Sequence, residues 1–301
     1  MPLPNFFVVG TGKAGTTSLF RYLQQHPQIF MSPVKEPSYF AAEIRAENLS
    51  AEFRRHAARQ SGDVNRWLIA DWDAYQRLFE GAGESAVAIG EATPSYLWSA
   101  TAAANIHERL PHAKIVMILR DPAERAYSHY LALVTEGLIA GSFRDHLEQC
   151  VRATAPWIGP WYPFLEVGLY SEQVRRFRER FPREAIRIYW YEEAWREPAA
   201  FLRNLFAFLG VDPAFPVDFS ARSLERRAPR FQRIRHALKK HDMLQPLSRW
   251  VPAALRKAAF QAAPRMTAED RQWLVDYYRD DIRKLGALLD RDLGSWLRVT
   301  V

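Results

Sequence analysis

Short, uninterrupted apolar runs alternate with amphipathic stretches along the first two thirds of the chain. "FFVVG" at 6–10 is apolar throughout and closed by glycine, the pattern of a parallel strand buried on both faces. Leu19, Tyr22 and Leu23 then recur at helical spacing, and "HP" at 26–27 ends that helix. The pattern repeats in "AKIVMILRDPAERAYSHYLALV", with a strand at 114–119, a turn at Asp121 and Pro122, and a helix with proline in its first turn. A third unit predicts a strand near 186–190 and a helix from about 198 that stops at Gly210. Farther on, "TAEDRQWLVDYYRDDIRKLGALL" predicts a long helix capped by Thr267, with acids in its first turn. Strands alternating with helices predict an α/β fold: a P-loop-like central parallel sheet with helices on both faces and ligands at the carboxyl ends of its strands.

The chain has 301 residues and reads as a single domain over 1–301, with a core at about 5–215 and a C-terminal helical lobe at about 222–301. No internal repeat or low-complexity linker divides it. Hydrophobic residues at 48% and charged residues at 25% exclude disorder. A net charge of +7 implies a surface that attracts anions, without selecting among nucleic acid, lipid, glycan and nucleotide. The single cysteine, Cys150, excludes an intrachain disulfide and a cysteine-rich metal site. The start lacks a signal peptide's basic and apolar regions, and nowhere do about 18 apolar residues run together, so a cytoplasmic protein without a membrane anchor is expected.

The loop between the first strand and helix, "GTGKAGTTS", carries the most chemistry. Its glycines let a ligand approach the main chain, and the amides of residues 13–18 with the helix start behind them form a nest for phosphate. An ATP-binding loop, G-x-x-x-x-G-K-[ST], places lysine after its last glycine, where this chain has Thr16. Lys13 instead lies inside the loop, beside the bridging oxygen of a shorter anhydride, where it can stabilise charge on a departing phosphate without a metal. Sulfuryl transfer meets that requirement; a degenerate kinase loop or a tightly packed corner are the alternatives at this point.

The loop, "KIVMILRDPAERAYSHY", "SPVKEPSYF" and "IGEATPSYLWS" together resemble the sulfotransferases that use 3′-phosphoadenosine 5′-phosphosulfate (PAPS), particularly the heparan-sulfate and bacterial carbohydrate branch. The resemblance implies PAPS as donor, its bisphosphate PAP as product, and no metal. It implies that Lys13 contacts the bridging and sulfuryl oxygens, that Ala14, Gly15, Thr16, Thr17 and Ser18 bind the 5′-phosphate, and that Arg120 and Ser128 bind the 3′-phosphate. An arginine fork at the end of a strand suits that last role. Glu36 occupies the place of the catalytic base, with Lys35 steering the sulfuryl group or tuning Glu36. Of the eight histidines, His129 is the candidate acceptor contact, although it lies roughly 100° around the helix from Ser128, which also suits a structural role.

The chain departs from the heparan-sulfate branch at Ala92, where that branch has lysine, and at Ser38, where it has histidine. A basic run near the C-terminus is also missing, with Arg226, Arg227 and Arg230 as substitutes for the 3′-phosphate. Trp157, Trp161, Tyr162 and Phe164, on a loop with prolines and a glycine, suit stacking on a sugar ring or an aromatic acceptor, with a loop tucked into the core as the equal alternative. Residues 244–260 read as a packed helix, with a lid or a membrane-surface element as alternatives. The expected partner is a sugar or small-molecule hydroxyl, with peripheral membrane contact if the acceptor is a glycolipid. A nucleic-acid partner is not expected, because it leaves the glycine loop without a purpose.

Overall fold

Five parallel strands pair in the order β2-β3-β1-β4-β5 in a computed structural model of the chain. They are β1 (Phe6–Val8), β2 (Ile29–Met31), β3 (Ala88–Ala92), β4 (Lys114–Leu119) and β5 (Ile186–Trp190). The structure describes residues 1–45, 69–152, 163–220, 227–240, 243 and 259–299. Two compact units partition the chain: Met1–Asp121 with Leu169–Arg222, and Pro122–Gly168 with Ser223–Val301. Residues 122–168, expected within the core, group with the C-terminal residues.

The first unit holds the sheet. Its strands alternate side chains between two faces. Phe6 and Val8 pack with Leu19, Tyr22 and Leu23 of α1 (Thr16–Leu23), with Trp195, and with Phe201, Leu205 and Phe206 of a later helix, Pro198–Leu209. Phe7 faces the other side and meets Phe40 edge-on, ring centroids 5.6 Å apart. Tyr75 of α2 (Trp72–Arg77) and Tyr96 of α3 (Ser95–Trp98) complete that aromatic layer. Each large apolar side chain fully buried in this way contributes about 1.5–3 kcal/mol. Between α3 and β4 lies α4 (Ala102–Arg109), whose first turn receives the Glu43 carboxylate at the amides of Ala100 and Thr101.

The strands expected at 114–119 and 186–190 are β4 and β5, and the strand expected within 6–10 is β1, which covers only 6–8. β2 and β3 were not legible in the sequence, since "IFM" is brief and "AIGEA" buries a glutamate in a strand without a β-branched run. The helix that stops at Gly210 does so in a left-handed conformation, φ 84°, and Lys114 Nζ donates to the exposed-end carbonyls of Phe208 and Leu209 at 2.8 and 3.1 Å.

In the second unit, α5 (Pro122–Thr135) begins with proline as expected, followed by α6 (Phe143–Arg152). After α7 (Tyr170–Arg178), α8 (Tyr191–Ala194) and α9 (Pro198–Leu209) of the first unit, it resumes with an antiparallel pair, β6 (Arg227–Pro229) and β7 (Phe260–Ala262), with α10 (Gln232–Lys240) between them. It closes with α11 (Ala268–Leu289), where the Thr267 side chain accepts from the Asp270 amide at 3.1 Å, the expected cap. Tyr278 of α11 donates to the Leu165 carbonyl at 2.8 Å, and Arg144 pairs with Asp270 at 2.8 Å. Among the described residues no helix is long and apolar enough to cross a membrane.

One glycine sets the path from β1 into the following loop. A Cβ on Gly10 would lie 2.4 Å from the Ile118 nitrogen of β4, backbone that cannot give way. Gly10→Ala is expected to destabilise the protein by about 1–3 kcal/mol, read by urea unfolding; an unchanged midpoint would contradict this contact.

Candidate active site

Hydrogen bonding between β1 and β4 runs on into the loop: Val9 donates to Val116 at 2.9 Å and Thr11 to Ile118 at 3.0 Å. The chain then turns through Lys13 and Gly15, both left-handed at φ 70° and 81°. Glycine adopts that region freely, whereas lysine there stores about 1–3 kcal/mol of strain. Three contacts hold the strained turn. Arg120 Nη1 at the end of β4 donates to the Lys13 carbonyl at 2.8 Å, and Trp195 Nε1 donates to the Ala14 carbonyl at 3.2 Å. The same indole lies where a side chain on Gly15 would go, 2.5 Å from its Cβ position.

α1 starts at Thr16 with no side-chain cap and no acidic residue in its first turn. Its N-terminal amides and dipole are therefore oriented to favour an anion that neither the cap residue nor the first turn supplies. A Cβ on Gly12 would meet nothing within 4 Å, so the loop is open on that side, and the buried Thr11 Oγ1 has no hydrogen-bond partner among the described residues. Such a cradle fits a phosphate group.

A second strained loop leaves the same edge of the sheet. Ser32 donates to Gly90 of β3 at 2.8 Å and Glu36 to Ala92 at 3.2 Å, pinning the loop to β3 at both ends. Between and beyond them, Glu36 and Ser38 are left-handed, φ 62° and 58°. Glu36 precedes Pro37, which ordinarily drives its predecessor to extended backbone, so this conformation is held by its surroundings. Ser38 Oγ donates to the Glu36 carbonyl at 3.2 Å, and Ile69 donates to the Pro37 carbonyl at 3.1 Å. The Glu36 carboxylate, about a quarter exposed, forms an ion pair with Lys35.

Glu91 of β3 was not singled out in the sequence. Its carboxyl is wholly buried and receives three hydroxyl donors: Tyr75 and Tyr96, each at 2.9 Å on Oε1, and Thr93 on Oε2. Burial pushes it up from 4.5 to about 7, against the hydroxyls that favour its charged form, and the negative charge of Glu36 pushes the same way. Trp195 and Glu192 also escaped the sequence. Glu192, which accepts from the Asp121 amide at 3.3 Å, is raised chiefly by burial. The signal that would have flagged them is polarity or bulk inside an apolar segment.

The first unit thus carries Lys13, Ala14, Gly15, Thr16, Thr17 and Ser18 after β1, Lys35 and Glu36 after β2, and Arg120 after β4, all at the carboxyl ends of the parallel strands. Arg120 is more than a ligand-facing fork, because it is 3% exposed, stacks over Tyr191 at 4.3 Å and braces the loop. Ser128 lies eight residues on, half-buried on α5 of the second unit. His129 is buried in that unit, stacked on Phe164 at 5.0 Å with its Nδ1 3.5 Å from Arg125. This favours the structural role over acceptor contact. Arg230 is exposed. Trp157, Trp161, Tyr162, Arg226 and residues 244–258 lie outside the described residues, and so does the side chain of Arg227. Among the described residues no group of three or more His, Cys, Asp and Glu is arranged to hold a metal.

Comparison with known proteins gives the family of this chain. Residues 4–216 match the Sulfotransferase family, and the chain belongs to it. It is similar over its whole length to a crystal structure of a sulfotransferase from Alicyclobacillus acidocaldarius: 31% identity, TM-score 0.75, 99% of this chain and 100% of that one covered. It is 27% identical over 303 residues to the bifunctional heparan sulfate N-deacetylase/N-sulfotransferase 3 of Homo sapiens, covering 98% of this chain and 31% of that protein. It is 26% identical over 252 residues to carbohydrate sulfotransferase 15 of Mus musculus, covering 70% and 44%. The chain spans less than half the length of these curated relatives. It is a transferase enzyme that moves a sulfuryl group.

The buried Glu91 carries a pH signature. Folded, it keeps its proton up to about pH 7, whereas the unfolded chain releases it near 4.5. Its bound proton therefore stabilises the fold fully below about 4.5, and that contribution is lost as pH rises through 7. Glu91→Gln is expected to remove the dependence, so that the variant's melting temperature gains on the wild type between pH 4.5 and 8. Parallel curves across that range would contradict the buried, proton-holding carboxyl.

Proposed function

We propose that the enzyme transfers the sulfuryl group of PAPS to an acceptor hydroxyl, with Glu36 as general base. The observation that carries this reading is that Lys13 and Glu36 are both held in left-handed backbone, on loops leaving the same edge of one sheet. Strain of this kind persists where surrounding contacts over-determine it, and it concentrates at reacting centres.

The residues present fit the donor. The uncapped start of α1, with Gly15, Thr16, Thr17 and Ser18, would hold its 5′-phosphate, and the guanidinium of Arg120 offers a fork for its 3′-phosphate. When bound, the donor supplies a sulfuryl group activated by a phosphosulfate anhydride. Lys13 stabilises the negative charge that develops on the departing phosphate. Glu36 accepts the hydroxyl's proton on its carboxylate as that oxygen attacks, and Lys35, paired with it, keeps the carboxylate oriented. The two lysines carry the charge changes, and the proposed mechanism uses no metal.

The acceptor we favour is a carbohydrate or glycoconjugate hydroxyl. Two relatives are named for heparan sulfate and for carbohydrate, and "KEPSYF" places paired aromatics after the glutamate. A phenolic or other small-molecule hydroxyl is the alternative that an acceptor screen with labelled PAPS would separate.

Thermal shift tests the donor. Adenosine 3′,5′-bisphosphate is expected to raise the melting temperature without Mg²⁺, by about 2.7 kcal/mol of stabilisation at a hundredfold excess over its Kd. Stabilisation only by ATP with Mg²⁺ would make the protein a kinase-like binder instead. For the base, Glu36→Gln is expected to keep the bisphosphate affinity and lower kcat by at least ~10²-fold. Undiminished turnover would remove Glu36 from that role.

A further inference from the structure

We infer that Glu91 is a positioning residue for the base, acting through Glu36 from inside the sheet by holding the Glu36 loop in place and by supplying a second, switchable negative charge beside it. The inference rests on the reading of Glu36 as the base.

The geometry begins with the main chain. Gly90 and Ala92, on either side of Glu91, accept the amides of Ser32 and Glu36, so the loop brackets this residue. The side chain extends the link. Glu91 Oε1 takes the Tyr96 hydroxyl, and that hydroxyl in turn accepts the Phe40 amide at 3.3 Å, four residues past the base. The same oxygen takes the Tyr75 hydroxyl, and the Tyr75 ring stacks on Tyr39 with centroids 4.8 Å apart. Both aromatics of "SYF" are thereby anchored to one buried carboxyl. An apolar residue at 91 would leave three hydroxyls without this acceptor. Such a network is more than a packing device, because it places an ionisable group in the interior of a strand.

The charge is the second half of the inference. The groups facing the pair are Lys35 on the base loop, Tyr75 of α2 with Tyr39 beside it, and Tyr96 of α3 with Thr93 before it. Burial and the Glu91 charge keep both tyrosines protonated at any working pH. Of the cations around these groups, Lys35 is paired to Glu36, Arg45 donates to the Tyr39 carbonyl at 3.1 Å, and Arg109 lies over the Tyr39 ring, 6.0 Å from its centroid. Ionisation of Glu91 near 7 therefore places a second negative charge beside Glu36, and that charge draws the proton leaving the acceptor hydroxyl toward the pair.

The test is the pH profile of kcat for the wild type, Glu91→Gln and Glu36→Gln, with bisphosphate affinity and melting temperature measured on each. The wild type is expected to gain turnover in a step near pH 7 that Glu91→Gln lacks, with a several-fold lower plateau in the variant and unchanged bisphosphate affinity. A retained step and full turnover in Glu91→Gln, while Glu36→Gln is inactive, would overturn the positioning role and leave the base intact. Full turnover in Glu36→Gln would overturn the base itself, whatever Glu91 does. If Glu91→Gln does not fold, Tyr75→Phe serves in its place. It removes one of the donors favouring the charged form, so the step is expected to move to higher pH, and an unmoved step would overturn the inference.

Discussion

Main-chain hydrogen bonds that continue past the ends of the parallel strands hold this site together. Beyond β1, Thr11 still donates to Ile118 of β4, and beyond β3, Thr93 donates to the Val8 carbonyl. Beyond β2, Glu36 donates to Ala92. Because all strands run the same way, each connection leaves at the same edge, and residues far apart in sequence arrive together without any side chain having to reach. The close approach of Gly10 to β4 belongs to the same constraint. A larger residue there would lift the loop from the strand that carries Arg120.

Ladders of this kind also explain how two unfavourable conformations survive. Lys13 and Glu36 occupy left-handed backbone that neither residue prefers. One is fastened by Arg120 and Trp195, the other by the β3 edge and by Ser38 and Ile69. Strain held in this way fixes both loops in one conformation, and under the proposed mechanism less ordering would remain to be done in the transition state. Arg120 takes part in both tasks, since the guanidinium that suits a phosphate also bonds the backbone of the lysine beside it. A lysine in its place would offer a point charge without the planar fork and would lose the stacking on Tyr191.

Much of this was legible along the chain. Local patterns suffice for β4, β5, α1, α5, α9 and α11, because apolar periodicity, proline at a helix start, glycine at a helix end and threonine before a helix each act within a few residues. The family was legible too, from blocks that include a lysine standing within the glycines rather than after them. β2 and β3 were not, because a three-residue strand and a strand that buries a glutamate are stabilised by neighbours rather than by their own composition. Trp195 reads locally as one more aromatic near the end of a helix, and only the packing brings its indole against Gly15.

The sequence by itself therefore determined the class of fold and the family, and it singled out the glycine loop and Glu36 as the candidates on which the proposed chemistry rests. These depend on short-range stereochemistry and on residue types whose chemistry is the same wherever they stand. Tertiary structure decided that Arg120 braces the loop, that His129 is packed against Phe164, and that Glu91 is buried under three hydroxyls with its proton held to about pH 7. Each of these follows from what surrounds a side chain, and surroundings are set by contacts between residues tens of positions apart, which no local pattern encodes.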